Sequence, residues 1–363
     1  MIAINETNFP DANFRNWLLA QDYGKDGVLT EEAIKGITEI NVRKKGISSL
    51  KGIELFTALT ELDCSWNRLT SLYIPGIWCN HSKLTSLNVS GCTALTELDC
   101  SDNELTTLDV SGCTALTRLD CDNNKLPTLD VSGCTALKEF RCFENKLTTF
   151  DVSGCTALTI LYCSDNQLTT LDVSGCTALT RLDCEWNKLT DLDLSGCPAL
   201  TELDCANNEL TTLDVSGCTA LTELYCFENK LTSLNVSGCT ALTELECEWN
   251  KLTDLDLSGC TALTMLDCCE NELTSLNVSR CTALTKLYCY CNQLKGAAMD
   301  RLIESLPQTE KESGLYVYDG RKPYEENVCT KAQVTAARAK GWKVLVTYDK
   351  EWEKWEKYDG CDE

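Results

Sequence analysis

Twenty-six cysteines, a single histidine and many aromatic and acidic side chains are the groups in this chain whose chemistry could define a function. Thiols in such number suggest a disulfide framework or a soft-metal store. Their spacing argues otherwise. Twelve, from Cys64 to Cys289, recur at one point of a 21-residue period broken by a single shorter step, and ten more, from Cys92 to Cys281, recur at a second point. Two regular files of identical neighbours place thiol beside thiol on adjacent strands, an unfavourable approach for the near-perpendicular disulfide torsion. No CxxC pair occurs, and thiols among leucines resist deprotonation. We therefore expect reduced, buried thiols that pack as small hydrophobes. Cys269 and Cys291, at loop positions of adjoining periods, are the pair expected to oxidise if any does; Cys329 and Cys361 near the C-terminus are undecided.

Catalysis finds little support. His81 is the one histidine, which removes most general-base and His-ligand zinc schemes. GxSxG, HExxH and Gly-rich phosphate loops are absent, and the carboxylates fall in regular rows instead of one convergent pair. No enzyme activity, cofactor or metal is expected. The net charge is −23, from 32 basic and 55 acidic residues, so a phosphate backbone would be repelled and nucleic acid is excluded as a partner. No run approaches the roughly 20 apolar residues of a membrane span, and the start, MIAINETNFPDANF, lacks the basic and apolar regions of a signal peptide.

The elements that position these groups follow from the period. From Leu95 to Leu284 the chain repeats LxxLxCxxNxLxxLxVSGCTA, as in LTELDCSDNELTTLDVSGCTA from Leu95. The first eleven places match the leucine-rich-repeat template with Cys at the sixth. Alternation in LxxLxC sends the fourth and sixth residues to one face of a short strand and the third and fifth to the other. The ninth-place Asn, such as Asn103, Asn124 and Asn145, sits at a turn, where its amide can bond unpaired backbone groups and build an internal ladder. LDVSGC reads as a second extended segment on the convex side. The expected fold is a leucine-rich-repeat solenoid of α/β type, a curved parallel β-sheet rod of about a dozen coils about 4.8 Å apart. LTELDCSWNRL from Leu59 fits the template fully. IPGIWCNHSKL begins only 15 residues later, at Ile74, with Ser82 for Asn and no SGCTA corner before it, which predicts a kink or bulge.

Three domains are expected: residues 1–36 as a helical N-terminal cap, 37–295 as the solenoid, and 296–363 as a βα C-terminal cap and tail. The segment FPDANFRNWLLAQ reads as a helix, and DYGKDGVLTEEA resembles an EF-hand loop with Asp22, Asp26 and Thr30 in ligand places. Gly24 stands third and Ala33 twelfth, where the bidentate Glu belongs, so a metal-free plug is expected. At the other end GAAMDRLIESLP and TKAQVTAARAKG read as helices, and GLYVYDG and WKVLVTY as strands that prolong the sheet and cover its edge. Trp352, Trp355 and Tyr358 are expected to pack on that cap.

The passage KKGISSLKGIELFTALTELDCSWNRLTSL resembles the junction of cap and first repeats in internalins, leucine-rich surface proteins of Gram-positive bacteria. LDVSGCTALTELDC is similar to repeats of internalin-like members with a cysteine ladder. The similarity covers about residues 1–295. It implies a truncated EF-hand-like cap, a secreted or cell-surface location, and adhesion through recognition of a protein or glycan on the concave face. No signal peptide, LPxTG-type anchor or following immunoglobulin-like module is seen in this chain. A cytoplasmic scaffold or effector using the same face is the alternative, which free thiols would suit.

Within the repeats, the apolar places and the SGCTA corner hardly change, whereas places three, five, seven and eight vary in kind. They supply Trp66, Trp78, Arg141, Phe143, Tyr162, Trp186, Tyr225, Phe227, Trp249, Tyr288 and Tyr290, all expected to point outward from the concave strands or to sit on their rim. Aromatic anchors on a rigid sheet suit a protein interface or stacked sugar rings. Drift among duplicated repeats also varies exposed places, and EWNKLTDLDLSGC is identical at Glu185 and Glu248. Glu61, Glu97, Glu202, Glu223 and Glu244 on the same face suggest a partner with positive charge, bound by a monomer.

Overall fold

A computed structural model describes residues 1–363 apart from 57, 60, 65, 70, 74–83, 311–312, 348–355 and 363. The chain divides into two compact units, Met1–Leu179 and Thr180–Glu363.

The first unit opens with helix α1, Ala12–Leu19. Asp11 caps it by accepting the Phe14 N–H at 2.9 Å, and its other oxygen accepts the N–H and hydroxyl of Ser48, at 2.8 and 2.7 Å. One carboxylate thus starts the helix and ties it to the first coil. An antiparallel pair joins Ile2–Ala3 to Val28–Leu29, and α2 spans Glu31–Gly36. Phe9, Phe14, Leu18 and Leu29 are fully buried beneath them.

Beyond these elements, three-residue strands stack in parallel. Arg118–Asp120, Glu139–Arg141 and Ile160–Tyr162 pair with a shift of 21 residues, so Leu119, Phe140 and Leu161 form one core file. In each, the central residue is buried and its neighbours are half-exposed, apart from Asp120, which is buried. Cys121 follows into the interior, donates its N–H to the Arg141 carbonyl, and is itself fully buried. Asn124 Oδ1 accepts the Leu105 N–H while Nδ2 donates to the Cys100 and Cys121 carbonyls at 3.1 and 3.0 Å. The rung repeats at Asn145 and Asn166. The expected amide ladder and cysteine file are both formed.

The coil that begins at Leu59 departs from expectation. Glu61–Asp63 does not join the file of Glu97–Asp99. It pairs with Ser86–Asn88, which pairs with Thr107–Asp109, strands of the LDV half of the repeat. Ser71–Tyr73, from the second half of that coil, pairs instead with Glu97–Asp99. The partner offsets are 25 and 26 residues instead of 21, since Glu61 faces Ser86 and Ser71 faces Glu97. Losing one SGCTA corner leaves half a coil unmatched, so the two strand files exchange partners there. The expected kink at residues 74–83 lies outside the described residues.

In the second unit the same 21-residue register runs through Leu182, Leu203, Leu224, Leu245, Leu266 and Leu287. Second-half strands survive only at Thr212–Asp214 and Ser233–Asn235; elsewhere among the described residues that half is bends and turns. Each is held by an Asx turn, as where the Asp214 carboxylate accepts the Ser216 N–H at 2.9 Å. Corner thiols donate to the carbonyl one coil back, Cys239 to Val215 at 3.3 Å. Core thiols donate one coil forward, Cys247 to Asp267 at 3.3 Å. Cysteine supplies a small apolar volume and a weak donor together, which valine could not.

The sheet continues from Lys286–Tyr288 into Ser313–Asp319 and Trp342–Thr347, both parallel, and Glu356–Lys357 pairs antiparallel along the last of these. Helices α3, Ala297–Ser305, and α4, Lys331–Ala339, pack together on this end, with Thr330 and Gln333 forming a capping box on α4. Tyr358 is buried and stacks on Tyr318, while Trp352 and Trp355 lie outside the described residues.

Candidate functional site

In each unit, taken by itself, the third and fifth places flank a buried leucine and lean outward, so one face of its sheet collects the variable side chains. At the eighth place the backbone turns left-handed: φ is +58° at Trp66, +51° at Trp186, +52° at Asn207, +49° at Glu228, +56° at Trp249 and +52° at Cys291. Asn tolerates that conformation; Trp and Cys adopt it at a cost. The turn lifts the eighth side chain onto the rim, where successive rungs touch: Asn123 donates to the Asp102 carboxylate at 2.8 Å.

In the first unit, Arg141, Phe143 and Tyr162 come together. The Arg141 guanidinium lies 4.7 Å above the Tyr162 ring and pairs with Asp122 at 3.4 Å, Asp120 at 3.8 Å and Glu139 at 3.2 Å. Burial, and then the neighbouring Asp120 charge, push the Asp122 carboxyl well up from its ordinary range; the Phe143 N–H and Arg141 oppose this. A cavity of about 310 Å³, lined by Asp102, Asp120, Asp122, Arg141, Phe143 and Glu144, opens beside the pair. Trp66 is not part of this group. Because its coil has exchanged files, its N–H bonds Ser90 and its ring lies against Gly91, where a Cβ would come within 2.8 Å; Gly91 is itself left-handed, φ +70°. The strand of Glu61 likewise belongs to the other sheet from that of Glu97. Trp78 and His81 lie outside the described residues.

The second unit gathers Trp186, Tyr225, Phe227, Trp249, Tyr288 and Tyr290. Of these, Trp186 and Trp249 are exposed, by 54% and 43%, and the rest are half-buried, so large exposed aromatics are fewer than the sequence suggests. The Tyr225 hydroxyl donates to Glu223 at 3.2 Å. Tyr288 stacks on Tyr316 with centres 4.0 Å apart. Tyr290 is held against the Cys269 thiol, which also donates to Asp267. Cys269 and Cys291 are both buried, not loop-exposed, and they face different partners: Asp267 and Tyr290 for the first, Glu325, Glu270, Asp319 and Lys322 for the second.

Carboxylates crowd this face. Those of Asp183, Glu185 and Asp204 gather with one oxygen each within 4.8 Å of the others, and Asn207 donates to Glu185 at 3.3 Å. Burial, with Glu185 and Asp183 adding to it, raises Asp204 to about 7; burial, then Asp267 and Glu244, raises Glu246 to about 7. Such groups hold protons near neutrality and attract cations.

Three residues of the site escaped the sequence pattern. Lys322, from the loop after Ser313–Asp319, sets its ammonium 4.6 Å from the Trp249 ring centre and 2.9 Å from Glu270. Tyr316 extends the aromatic file. Asn327 supplies one more ladder rung, accepting the Leu294 N–H at 2.8 Å and donating to the Cys289 carbonyl at 2.7 Å. All three follow an interruption of the period, so spacing could not mark them.

Comparison with known proteins agrees with this geometry. The family model for leucine-rich repeats in two copies matches residues 93–133 and 177–217. Similar solved structures include the functional domain of InlJ from Listeria monocytogenes, whose description notes a cysteine ladder: 30% identity, 87% of this chain and 75% of that one covered, TM-score 0.54. Internalin InlF of Listeria monocytogenes is 22% identical over 97% of this chain and 99% of that one, TM-score 0.52. A leucine-rich-repeat protein of Leptospira interrogans is 19% identical over 88% and 79%, TM-score 0.59. No curated protein matches significantly. Among the described residues, no helix is long and apolar enough to cross a membrane. With its 21-residue coils, its amide ladder and its buried file of thiols, the chain belongs to the internalin-like leucine-rich-repeat proteins.

Proposed function

We propose that this protein is a non-enzymatic recognition module that binds a protein or glycan partner on the outward face of its first-half strands, read as the concave face, and that it serves adhesion at the cell surface or after secretion. Residues 1–36 and 296–363 act as caps in this reading, and 37–295 carries the partner. The observation that supports it most is the contrast within one scaffold. Leucine, cysteine and asparagine places barely vary, while one face presents Trp186 and Trp249 in the open, with Tyr225 between them on the sheet. Exposed indoles held on a rigid sheet favour contact with another molecule over water.

The test is capture by immobilised protein from host-cell surface extract and on a glycan array, compared with the variant carrying Trp186→Ala, Tyr225→Ala and Trp249→Ala. Loss of a captured partner, with thermal unfolding unchanged, supports the reading. Equal capture by both proteins overturns it.

A further inference from the structure

Three indoles occupy the eighth place of their coils, Trp66, Trp186 and Trp249, each on a left-handed residue. Two carry a cation from the chain itself: the Lys44 ammonium lies 5.0 Å from the Trp66 ring and that of Lys322 4.6 Å from Trp249. Lys322 completes its site with Glu270, the eighth residue of the next coil, and donates to the Tyr324 hydroxyl at 3.0 Å. The thirteen residues that present Trp249 recur letter for letter around Trp186. Yet Trp186 is 54% exposed, and among the described residues no cation lies over its ring.

Its surroundings suit one. The next rung is Asn207, whose amide nitrogen is directed to Glu185, leaving the amide oxygen as an acceptor. Asp183, Glu185 and Asp204 cluster at the foot of the same turn. Glu228 stands two rungs from Trp186, about 10 Å away at the strand spacing, close to one three-residue turn of polyproline II. The net charge of −23 draws basic segments toward the surface.

We propose that Trp186 is the seat of a lysine or arginine side chain from a basic segment of the partner protein, the incoming cation lying on Trp186 as Lys322 lies on Trp249. A second basic residue three positions further along, in a segment with the three-residue period of polyproline II, returns to the same side and meets Glu228. This rests on the binding role proposed above and specifies the chemistry of the partner.

The probe is an acetylated hexalysine amide, added to the full chain labelled with 5-fluorotryptophan at about 0.15 M salt, where long-range attraction is screened. Among the eight tryptophan fluorine resonances, that of Trp186 is the one lost in Trp186→Phe. It should move saturably with hexalysine and stay still with the Nε-acetylated peptide. The Trp249 resonance should stay still until Lys322→Ala uncovers it, and then respond too. Affinity should fall about five-fold in Trp186→Ala and largely persist in Trp186→Phe. Hexalysine binding with an unmoved Trp186 resonance and unchanged affinity in Trp186→Ala would mean general attraction to an acidic surface and would overturn the seat. The capture experiment above needs no lysine probe, so that result would leave the wider binding role standing.

Discussion

The ammonium of Lys322 sits over the Trp249 indole at 4.6 Å, brought there by a loop 73 positions further along the chain. The chain thereby places a cation on one of the two exposed indoles among the described residues of the second unit, and ties the loop after Ser313–Asp319 to the repeats through Glu270.

That contact should be measurable as a coupling. In a double-mutant cycle of Lys322→Ala and Trp249→Ala, chemical denaturation should give an interaction of about 1 kcal/mol, typical of a partly desolvated cation–π pair. Strict additivity would show the contact to be incidental.

The amide ladder carries more. Asn208 accepts the Leu189 N–H at 2.9 Å and donates to the Cys184 and Cys205 carbonyls at 3.0 and 3.2 Å, all in the interior. Asn208→Ala leaves buried backbone groups unpaired and should cost about 3 kcal/mol in urea unfolding. Asn207→Gly, one residue earlier at the left-handed place, should cost little.

Stability should depend on pH in a definite sense. Asp204 and Glu246 are raised to about 7 in the fold, against ordinary values near 4, so the folded state binds more protons between those limits. Stability is then fullest below the unfolded values and is lost as pH rises through 7. The melting temperature should be higher at pH 5.5 than at pH 8.5, and the double variant Asp204→Asn, Glu246→Gln should flatten that difference. A slope of opposite sign would contradict the burial of these carboxyls.

Backbone conformation at the rim opposes stability. Trp186→Asn replaces a residue that is costly at φ +51° with one that tolerates it, and should gain about 0.5–1 kcal/mol while weakening hexalysine binding about five-fold, as Trp186→Ala does. A destabilised variant would mean that the indole packs more than its exposure indicates.

Thiol reactivity should separate inside from outside. Burial pushes the Cys134 thiol up to about 11 and Cys113 to about 12, and among the described cysteines only Cys361 is not buried. With a charged disulfide reagent, native protein should label at Cys361 first, and the two files should react only on unfolding. Rapid labelling of Cys205 would break this picture.

Much of this was legible because a repeat writes the same local problem many times. Period-two alternation around Leu98 or Leu224 separates inside from outside, and one Asn per coil answers the same unpaired turn each time. The outward lean of Tyr162 and Tyr225 follows from their place beside a buried leucine. Where the period breaks, that logic ends. Leu59 begins a stretch that matches the template fully, yet its strand joins the other file. The left-handed eighth place was invisible because Asp, Asn, Glu, Trp and Cys all occupy it.

By itself, then, the succession of residues determined the coil length, the buried thiols and leucines, the amide ladder and the face on which variable side chains stand, since each depends on neighbours a fixed number of residues away. Only the tertiary structure decided that Trp66 stands apart from Arg141 and Tyr162, that Lys322 covers Trp249 while Trp186 stays open, and that Asn327 adds a rung. Those relationships join segments at unequal separations, where closing an irregular loop, and no periodic pattern, sets which side chains meet.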